Sequence, residues 1–343
     1  MIPKIVKLSE KMSQDLKSQS LKIAIIKLSA LGDIVHASIV LEFIKKNLES
    51  ASINYDISWI VDEKFAEILE GHELISNLIK IPLKDKKFLR TYKILKDAGK
   101  FHIAVDLQGL IKSAIVAKIL DTKIIYGFDK NSAKESLAST FYTHKFSCDY
   151  NENIIIRNLS LTAFALGFKF ERDEILNKKP CLMAYEKAEK NEPKRILIAP
   201  FASEESKCYD KFKRVIKMLS NYKVHVCFGN KKEFDKLEEI VKYTNADVLE
   251  KMPLKELVKF INSCDLVIGN DSGITHIAWA QNIPSITLFG NRPSQRNAYT
   301  TNKNIAIDAC KKIDARKIDK NDFCIREIKP EIIAEAAERI LNA

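Results

Sequence analysis

At 343 residues, with 46% hydrophobic and 29% charged side chains and a formal net charge of +11, the chain has the composition of a folded globular protein. These values exclude an intrinsically disordered or fibrous protein, and the length is sufficient for two domains of ordinary size. No apolar run approaches the roughly 20 residues needed to cross a bilayer, so we expect no transmembrane helix.

The excess of positive charge suits an anionic partner, which is a nucleic acid, an acidic membrane surface or a phosphorylated substrate. The basic residues are mostly lysines spread evenly along the chain, without interleaved aromatic side chains or a nucleic-acid-binding motif. We therefore expect no nucleic-acid partner. A genome rich in lysine codons would produce the same charge.

The first 20 residues carry four lysines but lack the apolar core of about 7–15 residues that a secretory signal has. We interpret them as an extension ahead of the first strand, or as the product of an upstream start codon with initiation near Met12. The seven cysteines are scattered, and none forms a Cys-x-x-Cys pair. We therefore expect reduced thiols, with neither a zinc site nor a disulfide framework.

The first predicted strand, residues 22–28, is followed by the loop Ser29–Asp33 and by a helix over residues 34–47. A dinucleotide-binding turn would place Gly-x-Gly-x-x-Gly in this loop, whereas this loop has a single glycine. The loop therefore disfavours a nicotinamide or flavin oxidoreductase. Asp33 lies at the carboxyl end of the strand, where open α/β sheets bind their ligands, although a role as N-cap of the helix would also explain an aspartate there.

Strands and helices continue to alternate through the first half, which predicts a parallel, doubly wound sheet. The apolar run that ends at Asp106 leads into a polar turn with Gly109 and then into a helix, again a strand–turn–helix arrangement. Two further helical segments follow a stretch rich in Ser and Lys, and Arg157 lies near the start of the second. The other predicted strands are residues 53–60, 76–81 and 123–127, and the helices between them are residues 62–70 and 86–98.

Residues 169–195 have little periodicity and contain two prolines, which is typical of a linker between domains. The alternation resumes beyond this stretch, so we expect two doubly wound domains. The chain ends in an amphipathic helix that we expect to pack back on the first domain. The predicted boundaries are 1–20 for the extension, 21–180 for the first domain, 181–193 for the linker, 194–328 for the second domain and 329–343 for the C-terminal helix.

The most informative stretch of the second half runs from Leu266 to Ala280, where a buried strand turns through Asn-Asp-Ser-Gly directly into a helix. The unpaired N–H groups at such a helix start bind anions, and the helix dipole assists them. Lys207, in the polar loop after strand 195–199, is placed to reach the same edge of the sheet. More hydrogen-bonding residues crowd this terminus than a cap requires, which predicts a diphosphate ligand: Asp271, Ser272, Thr275 and His276.

Two doubly wound domains usually bind their ligand in the cleft between them. Here one half supplies amides and a lysine, and the other supplies the Asp33 carboxylate. A nucleotide-sugar transferase needs this division, because the leaving diphosphate must be stabilised and the acceptor hydroxyl must lose its proton to a base. The chain has no Asp-x-Asp pair to bind a divalent metal, and we expect no metal or other cofactor to be required.

Three segments resemble, in order and spacing, successive motifs of the lipopolysaccharide heptosyltransferases: Lys27–His36, Asp106–Ala114 and Asn270–His276. Each motif alone has little specificity, but the similarity extends from about residue 21 to residue 310. The resemblance implies a GT-B fold, two Rossmann-like domains facing a central cleft, and an inverting glycosyl transfer. It further implies ADP-heptose as donor, the Kdo of Kdo2-lipid A as acceptor, and peripheral contact with the anionic inner membrane on its cytoplasmic face.

The resemblance also assigns roles to residues at matching positions. Asp33 matches the proposed catalytic base, and Lys207 matches a lysine beside the donor phosphate, although Cys208 and Tyr209 replace the family's His-Trp after it. The other donor-side matches are Ser203 for phosphate, Glu233 for ribose, Met252 for adenine through its backbone, and Asp271, Ser272, Gly273 and His276 for the sugar and diphosphate. The acceptor-side matches are Gln108, Lys112 and Arg157.

Two other functions stay open. The first is a heptosyltransferase of the second type, or another family member, with a different acceptor. The second is a regulatory module that binds ADP-sugars without transferring them. Ordinary structural roles also exist for single residues: Lys207 and Lys112 as solvated lysines, His276 as a backbone-bonded histidine, and Met252 as a core side chain.

Overall fold

The computed structural model describes residues 20–83, 87–182, 193–309 and 313–343. The contacts divide the chain into two units, one before and one after the stretch 183–192. That stretch, which holds most of the predicted linker, lies outside the described residues, as does nearly all of the predicted N-terminal extension. These two predictions therefore stay predictions.

The first unit is built on six strands: β1 (Leu21–Ile26), β2 (Tyr55–Asp62), β3 (Asn77–Ile81), β4 (Ile103–Asp106), β5 (Ile125–Phe128) and β6 (His144–Phe146). All pair in parallel, in the order β3-β2-β1-β4-β5-β6. The central strands are almost fully buried, as is typical of parallel strands covered by helices on both faces. The helices are α1 (Leu31–Ser38), α2 (Val40–Ser50), α3 (Phe88–Asp97), α4 (Ile111–Ile119), α5 (Ile154–Leu166) and α6 (Arg172–Leu176), with 3-10 helices at Glu63–Leu69 and Ser136–Phe141.

The second unit has a parallel sheet of the same size: β7 (Arg195–Ala199), β8 (Lys223–Val226), β9 (Asp247–Val248), β10 (Leu266–Asn270), β11 (Ser285–Phe289) and β12 (Asn304–Asp308). Its order is β12-β11-β10-β7-β8-β9, and both β10 and β11 are buried throughout. The helices are α7 (Phe212–Met218), α8 (Lys231–Val241), α9 (Leu254–Asn262), α10 (Gly273–Ala280), α11 (Ser294–Asn297) and α12 (Pro330–Leu341), with 3-10 helices at Glu205–Lys207 and Cys324–Glu327.

The two sheets have the same topology. When the strands of each unit are numbered from its own first strand, both sheets read 3-2-1-4-5-6, which is the order of the doubly wound Rossmann fold. The predicted fold class is therefore confirmed. In each sheet the direction of winding reverses between the first and fourth strands, so the ligand position expected of this fold lies beside the carboxyl ends of β1 and β4 in one unit and of β7 and β10 in the other.

Several predicted elements differ from the observed ones for physical reasons. The helix predicted over residues 34–47 is two helices, and the first begins at Leu31, so Asp33 lies inside its first turn rather than at its N-cap. The strands β6 and β12 were not predicted, because they are short edge strands whose residues are partly exposed and lack a long apolar run. The helix α6 lies within residues 169–195, whose low periodicity did not reveal a helix of only five residues.

The C-terminal helix α12 packs within the second unit, against α7, β10 and β11. Ile333, Ala334 and Ala337 from its apolar stripe belong to the hydrophobic core of that unit. These contacts account for the amphipathic pattern, and the predicted packing on the first domain stays a prediction. Among the described residues, no helix is both long enough and apolar enough to span a membrane.

Candidate functional site

Asp271, directly after β10, binds two basic side chains at the carboxyl ends of the strands of the second sheet. Its Oδ2 lies 2.7 Å from the Nζ of Lys207, in the loop after β7, and its Oδ1 lies 3.0 Å from the Nε2 of His276, on the first turns of α10. All three side chains are at least 85% buried. The structure thus brings together three of the predicted donor-side residues: Lys207 after β7, Asp271 after β10 and His276 on α10.

The charge of this cluster is fixed by the ion pair. Burial acts to raise the pKa of Asp271, but the Lys207 ammonium and the hydrogen bond from His276 outweigh it and lower that pKa well below its usual range. Asp271 is therefore ionised at neutral pH. The sequence led us to expect Lys207 as a cation available to phosphate, whereas the structure already pairs it with a buried carboxylate, so a diphosphate must share the lysine with Asp271.

Asn270 holds the two strand-end loops of this cluster together, and the predicted site did not include it. Its fully buried side chain accepts a hydrogen bond from the Tyr209 N–H at 3.0 Å and donates one to the Pro200 carbonyl at 2.7 Å. Gly269, one residue earlier, allows β10 to lie close to β7. A Cβ at this position would lie only 2.8 Å from the Ala199 carbonyl oxygen, so a larger residue would not fit. Polar residues directly after a buried strand were the available signal for Asn270.

The N-terminus of α10 offers backbone N–H groups with no side-chain cap. Ser272 occupies the N-cap position in extended conformation, yet its hydroxyl makes no capping bond and its buried Oγ has no hydrogen-bond partner. Gly273 begins the helix, and Thr275 bonds back to the carbonyls of Asn270 and Ser272, both at 3.0 Å. An unpartnered serine hydroxyl beside uncapped amides is the arrangement that a phosphate oxygen would complete.

A second ion pair lies at the same edge of the sheet and was not predicted. Arg292, just after β11, binds Glu204 at 2.9 Å, and Lys320 approaches the same carboxylate at 3.3 Å. Partial burial acts to raise the pKa of Glu204, but Arg292 and Lys320 together lower it. The pair joins residues 88 positions apart, so no local pattern revealed it, although Arg292 again follows a buried strand.

The other predicted donor-side residues lie in loops or a helix start near strand ends of the same sheet. Ser203 is exposed in the loop after β7, and Met252 is half-buried just before α9. Glu233 lies in the first turn of α8, where its carboxylate accepts bonds from the Gly229 N–H at 2.6 Å and from the Asn230 amide at 2.7 Å. A helix-capping role thus accounts for Glu233, and its ribose contact stays a prediction.

Asp33 lies in the first turn of α1, at the carboxyl end of β1 in the first sheet. Its Oδ2 accepts a hydrogen bond from the Ala30 N–H at 3.2 Å, the backbone half of a capping box. This bond uses one of the two carboxylate oxygens, and the side chain is half-buried. The residue therefore has both a capping function and a partly accessible oxygen, the condition under which it can also act as a base.

A buried network holds the loop that precedes Asp33. Gln108, after β4, accepts bonds through its Oε1 from the N–H groups of Leu28 and Ser29, at 3.0 and 3.2 Å. The fully buried Asp106 binds the Gln108 N–H at 2.8 Å and the hydroxyl of Tyr142 at 2.7 Å. Burial raises the pKa of Asp106, although these hydrogen bonds act in the opposite direction.

Lys112 and Arg157, the remaining acceptor-side predictions, have different surroundings. Lys112 is exposed on the first turn of α4, and its Nζ lies 3.4 Å from the Ser29 hydroxyl, so it stands beside the Asp33 loop. Arg157 is only 3% exposed, and its guanidinium binds the Ser132 carbonyl at 2.6 Å and stacks 4.5 Å from the Phe128 ring centre. These contacts give Arg157 a structural role between loops, and its acceptor contact stays a prediction that would require those loops to open.

Within the part of the chain that the structure describes, no group of three or more His, Cys, Asp or Glu side chains is arranged to hold a metal ion. The cations at the second sheet edge are instead side chains, Lys207 and Arg292. The predicted independence from metals stays a prediction and requires a solution experiment.

Comparisons with known proteins agree with the geometry. The family described as glycosyltransferase family 9 (heptosyltransferase) matches residues 89–323. Lipopolysaccharide heptosyltransferase 1 of Campylobacter coli is 43% identical over 94% of this chain and 99% of its own length. Lipooligosaccharide heptosyltransferase 2 of Campylobacter jejuni serotype O:2 is 26% identical over 91% of this chain and 96% of its own length.

The fold resembles that of a solved structure, the E. coli heptosyltransferase WaaC with ADP. The TM-score is 0.73, the match covers 93% of this chain and 99% of that one, and the sequence identity is 19%. At this level of identity the match shows a common fold.

Proposed function

The chain belongs to glycosyltransferase family 9, and from this premise we propose that it is an inverting heptosyltransferase that moves heptose from ADP-L-glycero-D-manno-heptose to the Kdo of Kdo2-lipid A in lipopolysaccharide core synthesis. The observation that carries the proposal is the 43% identity to a lipopolysaccharide heptosyltransferase 1 over nearly the full length of both chains. The polar residues at the carboxyl ends of both sheets support it independently.

On the donor side, the second unit binds the ADP moiety at the edge that carries Asp271. The N–H groups of α10, the Ser272 hydroxyl and the Lys207 ammonium receive the diphosphate, and Asp271 orients the lysine. His276 supports the same carboxylate from the helix. The ADP that accompanies a structural neighbour of the same fold agrees with a nucleotide diphosphate as the ligand class.

On the acceptor side, the first unit provides the base. The Asp33 carboxylate takes the proton from the acceptor hydroxyl as that oxygen attacks the anomeric carbon of the heptose. The bond between this carbon and the phosphate oxygen breaks with inversion, and ADP leaves with the electron pair. Gln108 fixes the backbone of the preceding loop, and Lys112 lies beside it, where it contacts an anionic sugar such as Kdo.

The Kdo acceptor is supported by the sequence identities to relatives of the two enzyme types. Among the Campylobacter relatives, the identity to the type 1 enzyme exceeds that to the type 2 enzyme, 43% against 26%, and this difference favours Kdo over an already heptosylated core. The Kdo-lipid acceptor also implies work at the cytoplasmic face of the inner membrane, in peripheral contact with its anionic surface.

The decisive experiment incubates the purified full chain with ADP-heptose and Kdo2-lipid A and measures ADP release and the mass of the lipid product. We expect one heptose to be added. Transfer only to an acceptor that already carries heptose would indicate the second enzyme type instead. Tight binding of ADP-heptose without transfer to either acceptor would indicate a regulatory module and contradict the proposal.

A further inference from the structure

The helix α3 presents three large apolar side chains to solvent. Phe88, Leu89 and Tyr92 are 76%, 88% and 51% exposed, whereas Thr91 and Leu95 of the same helix are buried. We call these three exposed residues the α3 apolar surface. At about 100° per residue, they lie within roughly 100° of the helix circumference, so they form one continuous strip.

The neighbouring elements also carry exposed apolar side chains. The helix α4 packs against α3, and the 3-10 helix Ser136–Phe141 packs against α4. Each contributes one exposed apolar side chain, Ile115 at 43% and Leu137 at 64%. A contiguous group of exposed apolar side chains such as that on α3, rather than single scattered ones, is typical of an interaction surface.

Basic residues surround the α3 apolar surface. Between residues 87 and 97 there are four basic side chains and one acidic one. The basic ones are all exposed: Lys87, Arg90, Lys93 and Lys96. This composition disfavours a dry contact between protein chains, whose centre is depleted of lysine, and it suits an anionic lipid surface, where aromatic and aliphatic side chains enter the headgroup region and cations bind the lipid phosphates.

The helix α4, which packs against α3, also carries a residue on the acceptor side of the site. Lys112, whose ammonium lies 3.4 Å from Ser29 in the Asp33 loop, and the exposed Ile115 are three residues apart on α4 and therefore on one helix face. One exposed apolar side chain, Ile115, thus lies one helical turn from Lys112, which is proposed to bind the acceptor.

We propose that the α3 apolar surface and its basic border dock the first unit on an anionic bilayer and so present the Asp33 loop to a lipid-anchored acceptor. The inference rests on the proposed function, because only a lipid acceptor gives the enzyme a reason to be held there. Phe88, Leu89 and Tyr92 insert among the headgroups, and Arg90, Lys93 and Lys96 bind the negative charge.

Vesicle flotation tests the proposal with the full chain. The wild-type protein should bind vesicles of phosphatidylcholine with about 30% phosphatidylglycerol, a fraction typical of an acidic leaflet, and binding should weaken in high salt. The variant F88S/L89S/Y92S should lose at least about tenfold in vesicle affinity, since three apolar insertions disappear. The variant R90E/K93E should lose affinity for the anionic vesicles by about fivefold or more per reversed charge.

A matched control is Tyr243→Ser in the second unit, which removes an aromatic side chain that is 79% exposed and lies near two lysines, Lys213 and Lys242. This variant should bind vesicles like the wild type. The proposal would be overturned if the wild-type protein did not bind anionic vesicles at low salt. It would also be overturned if the F88S/L89S/Y92S variant bound them with wild-type affinity. A concentration-dependent dimer of the wild type that the same variant abolishes would overturn it as well, because the occupant would then be a second copy of the chain.

The enzymatic function is measured separately, by heptose transfer to a deacylated, water-soluble Kdo acceptor. The α3 variants should retain the wild-type rate there, and they should lose rate only when the acceptor is embedded in vesicles. If the wild type transfers to the soluble acceptor but the variants lose nothing on vesicles, the docking proposal alone fails. If the wild type transfers to neither, the proposed function fails.

Discussion

Single residues at the carboxyl ends of the strands in the two sheets carry the chemistry proposed for this enzyme, and they can be tested one at a time. Asp33 is half-buried with one carboxylate oxygen in a backbone hydrogen bond. Lys207 and Asp271 form a buried ion pair. The first residue is proposed to move a proton, and the pair is proposed to stabilise charge on the leaving group, so their variants should fail in different ways.

Asp33→Asn should abolish heptose transfer and leave ADP affinity within about twofold of the wild type. The amide keeps an oxygen for the Ala30 N–H but cannot accept the proton of the acceptor hydroxyl. The measurements are steady-state turnover and ADP titration by calorimetry. Turnover close to the wild-type value would remove Asp33 from the role of base.

Lys207→Ala should weaken ADP binding by about 1.5–3 kcal/mol, the range for a lost hydrogen bond to a charged group. Isothermal titration calorimetry measures the change. Lys223→Ala is the control, because Lys223 forms an exposed ion pair with Asp247 in the same unit and should leave ADP affinity unchanged. Equal affinities for wild type and Lys207→Ala would place the lysine outside the donor site.

The ion pair also predicts the response of stability to acid. Because the pKa of Asp271 is lowered in the folded state below its usual 3.8, its contribution to the free energy of unfolding is complete above about pH 4 and declines as the pH falls further. Urea unfolding of wild type and Asp271→Asn should therefore show a difference in stability that narrows as the pH falls from 5 to 3. A difference independent of pH would contradict the ion pair.

The sequence was informative about these residues where they follow strands and uninformative where they contact distant parts of the chain. Asp271 and His276 stand five residues apart, so their common helix terminus was visible in the pattern. The direct bond of Lys207 to Asp271, the pair of Glu204 and Arg292, and the burial of Arg157 all depend on tertiary packing. No local period encodes such contacts, and the sequence left them undetermined.

At the scale of elements, the strand–loop–helix junctions were predictable, but the hydrogen bonds that join one junction to another were not. The helix α9 shows the local signals that make a helix predictable, because its apolar period is strong and proline precedes it. Two edge strands, β6 and β12, were missed because their residues are partly exposed and lack a long apolar run. The link between the β7 loop and β10 depends on one asparagine, and it can be tested directly.

Asn270→Asp should destabilise the second unit and also weaken ADP binding. The carboxylate can still accept from the Tyr209 N–H, but it loses the donor to the Pro200 carbonyl, and burying an unsatisfied acceptor costs about 1–3 kcal/mol. Urea unfolding and ADP titration measure the two effects. Asn245→Ala, which removes a loop-tying amide bonded to the Ser220 carbonyl elsewhere in the unit, should leave ADP affinity unchanged. Wild-type stability in Asn270→Asp would show that the cross-link contributes little.

At the scale of the whole molecule, the sequence predicted two doubly wound domains, and the two parallel sheets confirm them. The alternation of apolar strands and amphipathic helices sufficed because each parallel strand is a nearly continuous apolar run. The pattern could not reveal that both sheets share one strand order, since strand order is set by the path of the crossover connections and not by any local signal.

Transfer by the full chain should be unchanged in excess EDTA, because the cations at the second sheet edge are Lys207 and Arg292 side chains, and we propose that they and the α10 amides stabilise the diphosphate. The assay compares initial rates with and without chelator, and with Mg²⁺ restored. Loss of activity in EDTA that Mg²⁺ reverses would mean that an ion takes part and that the side chains alone are insufficient.

The repeated strand order has a consequence for how this enzyme can change over generations. The bonds of Gln108 to Leu28 and Ser29 lie within the first unit, and the bonds of Asn270 to Tyr209 and Pro200 lie within the second, each set at the reversal of winding of its own sheet. Mutations at the Asp33 edge therefore leave the Asn270 cross-link intact, and mutations at the Asp271 edge leave the Gln108 network intact. On the proposed division of roles, substitutions in the first unit alter the acceptor specificity and substitutions in the second alter the donor specificity, so the two specificities can evolve separately.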